Sequence, residues 1–321
     1  MTEVAPAELA QLRQEIARVT AAAREAPLDV VNLFVEEMDE GPVIRGRVLT
    51  QRQGREVHEL ARRYGARHEL QVLAEPAARL ELAWLQLAQG KLELWRRPDT
   101  MGVDEARETE YLADDGPVRL LGRVGGAALV QGPDLTLGWI DPSGIQEIDG
   151  STGRHSWARW QRAEEGAMVA LPTGAVRAIP VSPGRPSEAK HVRVTRGLLD
   201  AARSTLGARY RWGGTTDQGY DCSGLVQRLY SATTGVMLPK HTADQRRMGI
   251  RVVPGDGEAG DLLFASPRGE RVGHVMLLTS PESVLHACRS LRLVVEESIE
   301  ENAERYEHVG LRRPVALREG G

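Results

Sequence analysis

Apolar positions in the N-terminal part of the chain recur first at helical spacing and then at strand spacing. Leu9, Leu12, Ile16 and Val19 follow one another at intervals of 3, 4 and 3, which predicts a helix from about Ala7 to Arg24, within residues 1–26. Val30 to Val35 and Val43 to Leu49 read as strands, with Asp39 to Pro42 as the turn between them. Glu56 to Tyr64 reads as a helix with Val57, Leu60 and Ala61 inward, and Gly65 as its terminator. His68 to Leu73 gives a further strand, so residues 27–80 predict a small β-β-α-β unit. The first helix is expected to dock on its own protein. Self-association through its stripe is the alternative, although fewer than three heptads rarely suffice alone. His58 and His68 stand in no ligand pattern and read as surface residues.

The texture then shortens. Leu92 to Trp95, Val118 to Leu121, Ala127 to Val130 and Leu137 to Ile140 are brief strand-like runs separated by Gly and Pro, which predicts a small barrel or sandwich over residues 88–150. Residues 151–190 carry Trp157, Trp160, Pro172, Pro180, Pro183 and Pro186, and fit either a linker or a partial second barrel. A helical stripe of Val192, Val194, Leu198, Leu199 and Ala202 then opens a last unit over residues 191–315.

The 321 residues are enough for two or three domains. A net charge of -4 with mixed signs leaves no basic stripe, so no nucleic-acid partner is expected. No run approaches the ~20 apolar residues of a membrane span. The residues after Met1 lack a signal-peptide core, which gives a cytoplasmic expectation with no membrane partner.

The two cysteines, Cys222 and Cys288, make no disulfide framework. Cys222 follows a Gly-rich loop and precedes a helix-compatible run of Leu225, Val226, Leu229 and Tyr230. A thiol at a helix N-terminus is favoured as thiolate by the dipole and free N–H groups, and a neighbouring His completes a nucleophile. The bland alternative is a buried small hydrophobe. His274 and His286 lie inside apolar, strand-like runs, where a titratable side chain calls for an explanation. Two Cys and two His nominally suit zinc, but no Cys-x-x-Cys pair is present, so no metal is expected and Cys288 reads as a bystander.

The pieces Leu206 to Gly214, Asp221-Cys222-Ser223-Gly224, Leu238-Pro239, Gln245, Gly260 to Phe264, Gly273-His274-Val275 and Leu285-His286-Ala287 occur in an order that resembles the NlpC-type bacterial cell-wall cysteine peptidases. The resemblance implies an α+β, papain-like domain from about Val192 to Val309. The Val118 to Ile140 pattern looks like the SH3-like barrels that precede many such domains. By the same resemblance Cys222 is the nucleophile, His274 the general base and His286 its orienting partner. Asp221 takes the free α-amine of the substrate and is also suited to cap the helix; Ser223 flanks the same pocket, and Tyr210 offers a hydroxyl to substrate or oxyanion. Trp212, Gly213 and Gly214 read as loop-forming.

There are departures. Lys240-His241-Thr242 stands where Arg and a small hydroxyl residue are common, and Thr136-Leu137 stands where a barrel Tyr would reach the amine pocket. Glu108 and Glu110 are the barrel carboxylates left to serve it. The implied function is cofactor-free hydrolysis of peptidoglycan stem peptides at the bond between D-Glu, through its γ-carboxyl, and the diamino acid. The substrates would be free muropeptides in cell-wall recycling. The alternatives are a non-catalytic wall-binding protein and a cysteine amidase or acyltransferase acting on another amide.

Overall fold

The computed structural model of the chain describes residues 5–22, 31–48, 51–73, 84–134, 136–153, 168–170, 176–178, 188–234, 237–267 and 273–314. Helix α1 (Pro6–Ala22) leads into β1 (Asn32–Met38), β2 (Gly41–Val48), α2 (Gln51–Arg63) and β3 (Arg67–Val72). Strands β1 and β2 pair antiparallel; β2 and β3 pair parallel, with α2 as the crossover that parallel pairing requires. The order β-β-α-β is the predicted one. α1 adds to it rather than standing apart, because Leu12 and Ile16 are buried in one cluster with Leu33, Ile44 and Val57. Its stripe is covered by its own sheet. Gly65 takes φ +61°, the left-handed conformation that ends a helix. His58 and His68 are exposed, with Nδ1 of one 2.9 Å from Nε2 of the other.

The next unit comprises β4 (Trp84–Gln86), β5 (Lys91–Trp95), β6 (Arg107–Leu112), β7 (Val118–Val124), β8 (Ala127–Gln131), β9 (Leu137–Ile140) and β10 (Gln146–Ile148). They form an antiparallel seven-stranded sheet in the order β10-β4-β7-β8-β9-β5-β6. The apolar pattern predicts β5, β7, β8 and β9 and passes over β4, β6 and β10. Strand β6 reads Arg-Glu-Thr-Glu-Tyr-Leu, with no apolar alternation, yet residues 107 to 111 are all buried. Buried charges need partners, and these have them. Arg107 pairs with Glu93, and Glu110 with Lys91 and Arg211.

Strands β11 (Met168–Ala170) and β12 (Val176–Ala178) make an antiparallel hairpin. Most of residues 151–190, with Trp157 and Trp160, lies outside the described residues.

The last unit runs α3 (Glu188–Ser204), β13 (Thr215–Thr216), β14 (Gly219–Tyr220), α4 (Cys222–Thr234), α5 (Thr242–Gln245), β15 (Ile250–Val252), β16 (Leu262–Pro267), β17 (His274–Ser280), β18 (Ser283–Cys288), β19 (Leu293–Ser298), α6 (Ile299–Ala303) and β20 (Tyr306–Arg313). Its large sheet has the order β15-β20-β16-β17-β18-β19. Alternate residues of its strands enter two cores. Phe264, Val275, Leu277 and Leu285 pack with Leu198 of α3 and Leu225, Val226 and Leu229 of α4. Leu263, Met276, Leu278 and Val284 pack with Tyr306 on the other face. Strands buried on both faces are near-continuously apolar, as these are. The unit is α+β.

The seven-stranded sheet is bolted to this unit. Arg211 Nη1 donates to Glu110 Oε1 at 2.6 Å, Arg107 Nη1 to the Trp212 carbonyl at 3.1 Å and Thr215 Oγ1 to the Glu110 carbonyl at 2.8 Å. Arg228 of α4 meets both oxygens of Asp115 at 2.8 Å. Gln227 donates to Asp134 at 2.6 Å. No helix among the described residues is long and apolar enough to cross a membrane.

Candidate active site

Cys222 is the first residue of α4, where the sequence puts it. Asp221 caps that helix: its Oδ1 accepts from Gly224 N at 2.6 Å while its Oδ2 accepts from Gly213 N at 2.8 Å. The loop before it closes only with glycine. Gly213 has φ +69°, and a Cβ there would lie 2.6 Å from the Arg107 carbonyl oxygen.

His274 is the first residue of β17, and the carbonyl oxygen of Gly273 before it lies 3.8 Å from Cys222 Sγ. The start of the helix and the start of the strand thus converge. His274 Nε2 lies 2.7 Å from His286 Nδ1, with the rings edge to face. His286 is fully buried in β18 and sets its Nε2 2.9 Å from Glu297 Oε1. Glu297 also accepts from Asn302 Nδ2 at 2.6 Å and pairs with Arg305. The Tyr306 ring stacks on His274 at 4.6 Å between centroids, with 9° between planes.

Burial dominates the electrostatics. It pushes the Cys222 thiol up, as does Asp221, and Lys240 and the Val275 N–H only partly offset this, leaving it raised to about 11. Burial holds His274 well below the ordinary histidine value; His286 acts the same way and Glu297 opposes it. Burial thus favours the neutral form of both groups. The helix terminus, which favours the thiolate, is opposed by desolvation of a buried sulfur.

Asp221 and Ser223 are turned inward. Lys240 Nζ reaches the two Asp221 oxygens at 2.9 and 2.7 Å and Ser223 Oγ at 3.4 Å, and Ser223 Oγ donates to Asp221 at 3.2 Å. The lysine that departs from the family pattern is thus the counter-ion of the carboxylate next to the nucleophile. Glu108 is buried beside this pair, holding Arg96 Nε at 2.9 Å, with His241 Nε2 3.8 Å away. Burial raises the Glu108 carboxyl, against Arg96 and Lys240. Glu110, in contrast, is consumed by Arg211, Lys91 and Thr216. Tyr210 is half-buried; burial first, then Cys222 and Asp221, raise its phenol.

Cys288 stands apart, with Sγ 3.2 Å from Ser290 Oγ and 3.9 Å from the Tyr306 hydroxyl. No group of three or more His, Cys, Asp or Glu among the described residues is arranged to hold a metal ion. Glu297 and Tyr306 escaped the sequence reading. Glu297 sits in Val-Val-Glu-Glu-Ser, where alternation alone does not say which of two adjacent acids turns inward.

Residues 207–313 match the model of the NlpC/P60 family. The chain is 34% identical over 92 residues to a probable endopeptidase NlpC homolog of Haemophilus influenzae, covering 29% of this chain and 48% of that protein. It is 33% identical over 106 residues to the murein DD-endopeptidase MepS/murein LD-carboxypeptidase of Escherichia coli K12, covering 33% and 56%. It is also 33% identical over 120 residues to a gamma-D-glutamyl-L-lysine dipeptidyl-peptidase of Bacillus cereus, covering 36% and 35%. The chain spans about half the length of the first two relatives and about a third of the last.

Proposed function

With an NlpC/P60 domain at residues 207–313 as its chemical part, we propose that the protein is a cysteine endopeptidase of peptidoglycan stem peptides. Its bond is the one joining the γ-carboxyl of D-Glu to the diamino acid of a free muropeptide. The observation that carries this is the convergence at Gly273: Cys222 opens α4, His274 opens β17, and His274 is held by His286 at 2.7 Å.

In the proposed reaction the neutral Cys222 thiol attacks the amide carbon while His274 takes its proton, forming imidazolium and a tetrahedral adduct. The adduct oxygen lies toward the Cys222 N–H at the helix start and the Tyr210 hydroxyl. His274 then protonates the leaving amine, the C–N bond breaks and a thioester remains. Water, deprotonated by His274, releases the acid and the thiol. The seven-stranded sheet, read as the SH3-like module, supplies Glu108 to the amine end of the site. Glu108, paired with Arg96, and Asp221, paired with Lys240, bring two carboxylates to that end, and a substrate ammonium would be drawn to them. The dipeptidyl-peptidase relative, named for a γ-D-glutamyl bond, supports the same choice of scissile bond.

The test is a panel of stem peptides with free or acylated N-termini, read by mass spectrometry. Free-ended peptides should be cut after D-Glu. The Cys222→Ala variant should lose turnover while Cys288→Ala keeps it. Preference for muramyl-linked peptides would defeat the free-muropeptide reading, and equal losses in the two variants would defeat the choice of nucleophile.

A further inference from the structure

Three groups stand in line behind Cys222 rather than two. His286 lies opposite Val295 in the antiparallel pair of β18 and β19, and Val284 lies opposite Glu297, so Glu297 reaches His286 on the diagonal of one sheet face. The pleat divides the two neighbouring acids. Glu296 turns to the opposite face, toward Arg203 of α3 at 3.7 Å, whereas Glu297 meets His286 Nε2 at 2.9 Å.

The groups around Glu297 fix it as an acceptor. Asn302 of α6 donates Nδ2 to Oε1 at 2.6 Å, and Arg305, in the turn after α6, pairs with Oε2. Asn302 is itself held the right way round by His308 of β20, whose Nε2 meets Asn302 Oδ1 at 2.8 Å. Glu301 adds a nearby negative charge but spends its carboxylate on Ser298. Glu297 is therefore a braced anion.

We propose that Glu297 is a positioning residue that sets the protonation pattern of both histidines in series. An anionic acceptor at His286 Nε2 requires the proton on that nitrogen. His286 Nδ1 is then bare and accepts from His274 Nε2–H, which leaves His274 Nδ1 as the basic nitrogen. A histidine used as the orienting partner has this weakness: unlike an amide or a carboxylate it has two tautomers, and the wrong one would present N–H to N–H. The carboxylate removes that ambiguity. It also places a negative charge two steps behind the imidazolium that forms when His274 takes a proton. The inference rests on the reading of Cys222 and His274 as nucleophile and base.

Two measurements test it. In the unmodified protein, long-range proton–nitrogen NMR correlations of the imidazoles should show His274 and His286 both protonated at Nε2 and not at Nδ1. This readout needs no variant and no turnover. In kinetics, Glu297→Gln keeps size and loses charge; kcat on a stem peptide should fall on the order of tenfold or more with KM within about twofold, and the acid limb of the pH profile, set by His274, should move to lower pH. Glu297→Ala, which also removes the acceptor, should mix the His286 tautomers. His286 carrying its proton on Nδ1 in the unmodified protein would overturn the proposal, and so would a Glu297→Gln variant with unchanged kcat and pH limbs. Retained activity in Cys222→Ala bears on the catalytic reading instead and leaves the tautomer result standing by itself.

Discussion

Cys222 combines two opposed influences, and their balance decides how it would be activated. A helix start favours the thiolate, but a sulfur this buried beside Asp221 is pushed up to about 11, while His274 is pushed down by burial and by His286. A preformed thiolate–imidazolium pair needs the reverse order. We therefore expect the rate of Cys222 alkylation by iodoacetamide to climb through neutral pH and still be rising at about pH 9, because only the unpaired thiolate reacts. A plateau reached below about pH 6 would show the pair to exist in the resting protein. Cys222 and its position at the start of a helix were legible in the sequence, because a Gly-rich loop followed by an apolar 3–4 spacing defines a helix start. Its ionisation was not, since burial depends on residues such as Tyr210 and Tyr306 that tertiary contact alone brings near.

At the scale of elements, β6 carries the clearest lesson. Apolar alternation finds strands whose buried face is apolar, and β6 buries Arg107, Glu108 and Glu110 instead. What stabilises it is supplied by Lys91 and Glu93 on β5 and by Arg211 more than a hundred residues later. A pattern read along the chain cannot see a partner that distant. The helices α2 and α4 were legible for the opposite reason, because their inward residues are local, as is the Gly65 that ends α2. Removing one member of a buried charged set leaves the others unpaired, at about 3–5 kcal/mol. Glu110→Ala should accordingly lower the thermal midpoint by several degrees, because Arg211 and Lys91 are left to share Glu93 within the cluster, whereas Glu296→Ala, whose pair with Arg203 is solvent-exposed, should cost roughly 0–1 kcal/mol at most and barely move the midpoint. Differential scanning calorimetry on the two variants checks the contrast; equal midpoints would mean that the β6 cluster is not under tension of this kind.

For the molecule as a whole, the half-buried His241 and the buried His274 predict how stability depends on pH. His241 is lowered to about 4, first by burial and then by Lys240, and His274 lies well below its ordinary value. Between the unfolded histidine value near 6.5 and these lower folded values, the unfolded chain binds more protons than the native one, so stability rises with pH across that window and is lost as pH falls through it. Glu297, lowered to about 2, acts in the same sense further down: its contribution is present above the usual carboxylate value and fades as pH drops toward 2. Thermal melts at pH 7, 5.5 and 4 should fall in that order, with a shallower decline in His241→Gln; a flat series would contradict the neutral state of these rings. The clamp between the seven-stranded sheet and α4 has a further consequence, for inheritance. Asp115 and Asp134 on the sheet side hold Arg228 and Gln227 on the helix that begins at Cys222, and Arg107 holds the carbonyl of Trp212 in the loop before it. The two halves are thus not interchangeable cassettes. A recombination that joined this peptidase unit to a foreign barrel would have to import matching acids at those positions, so lineages can exchange the pair more readily than either part.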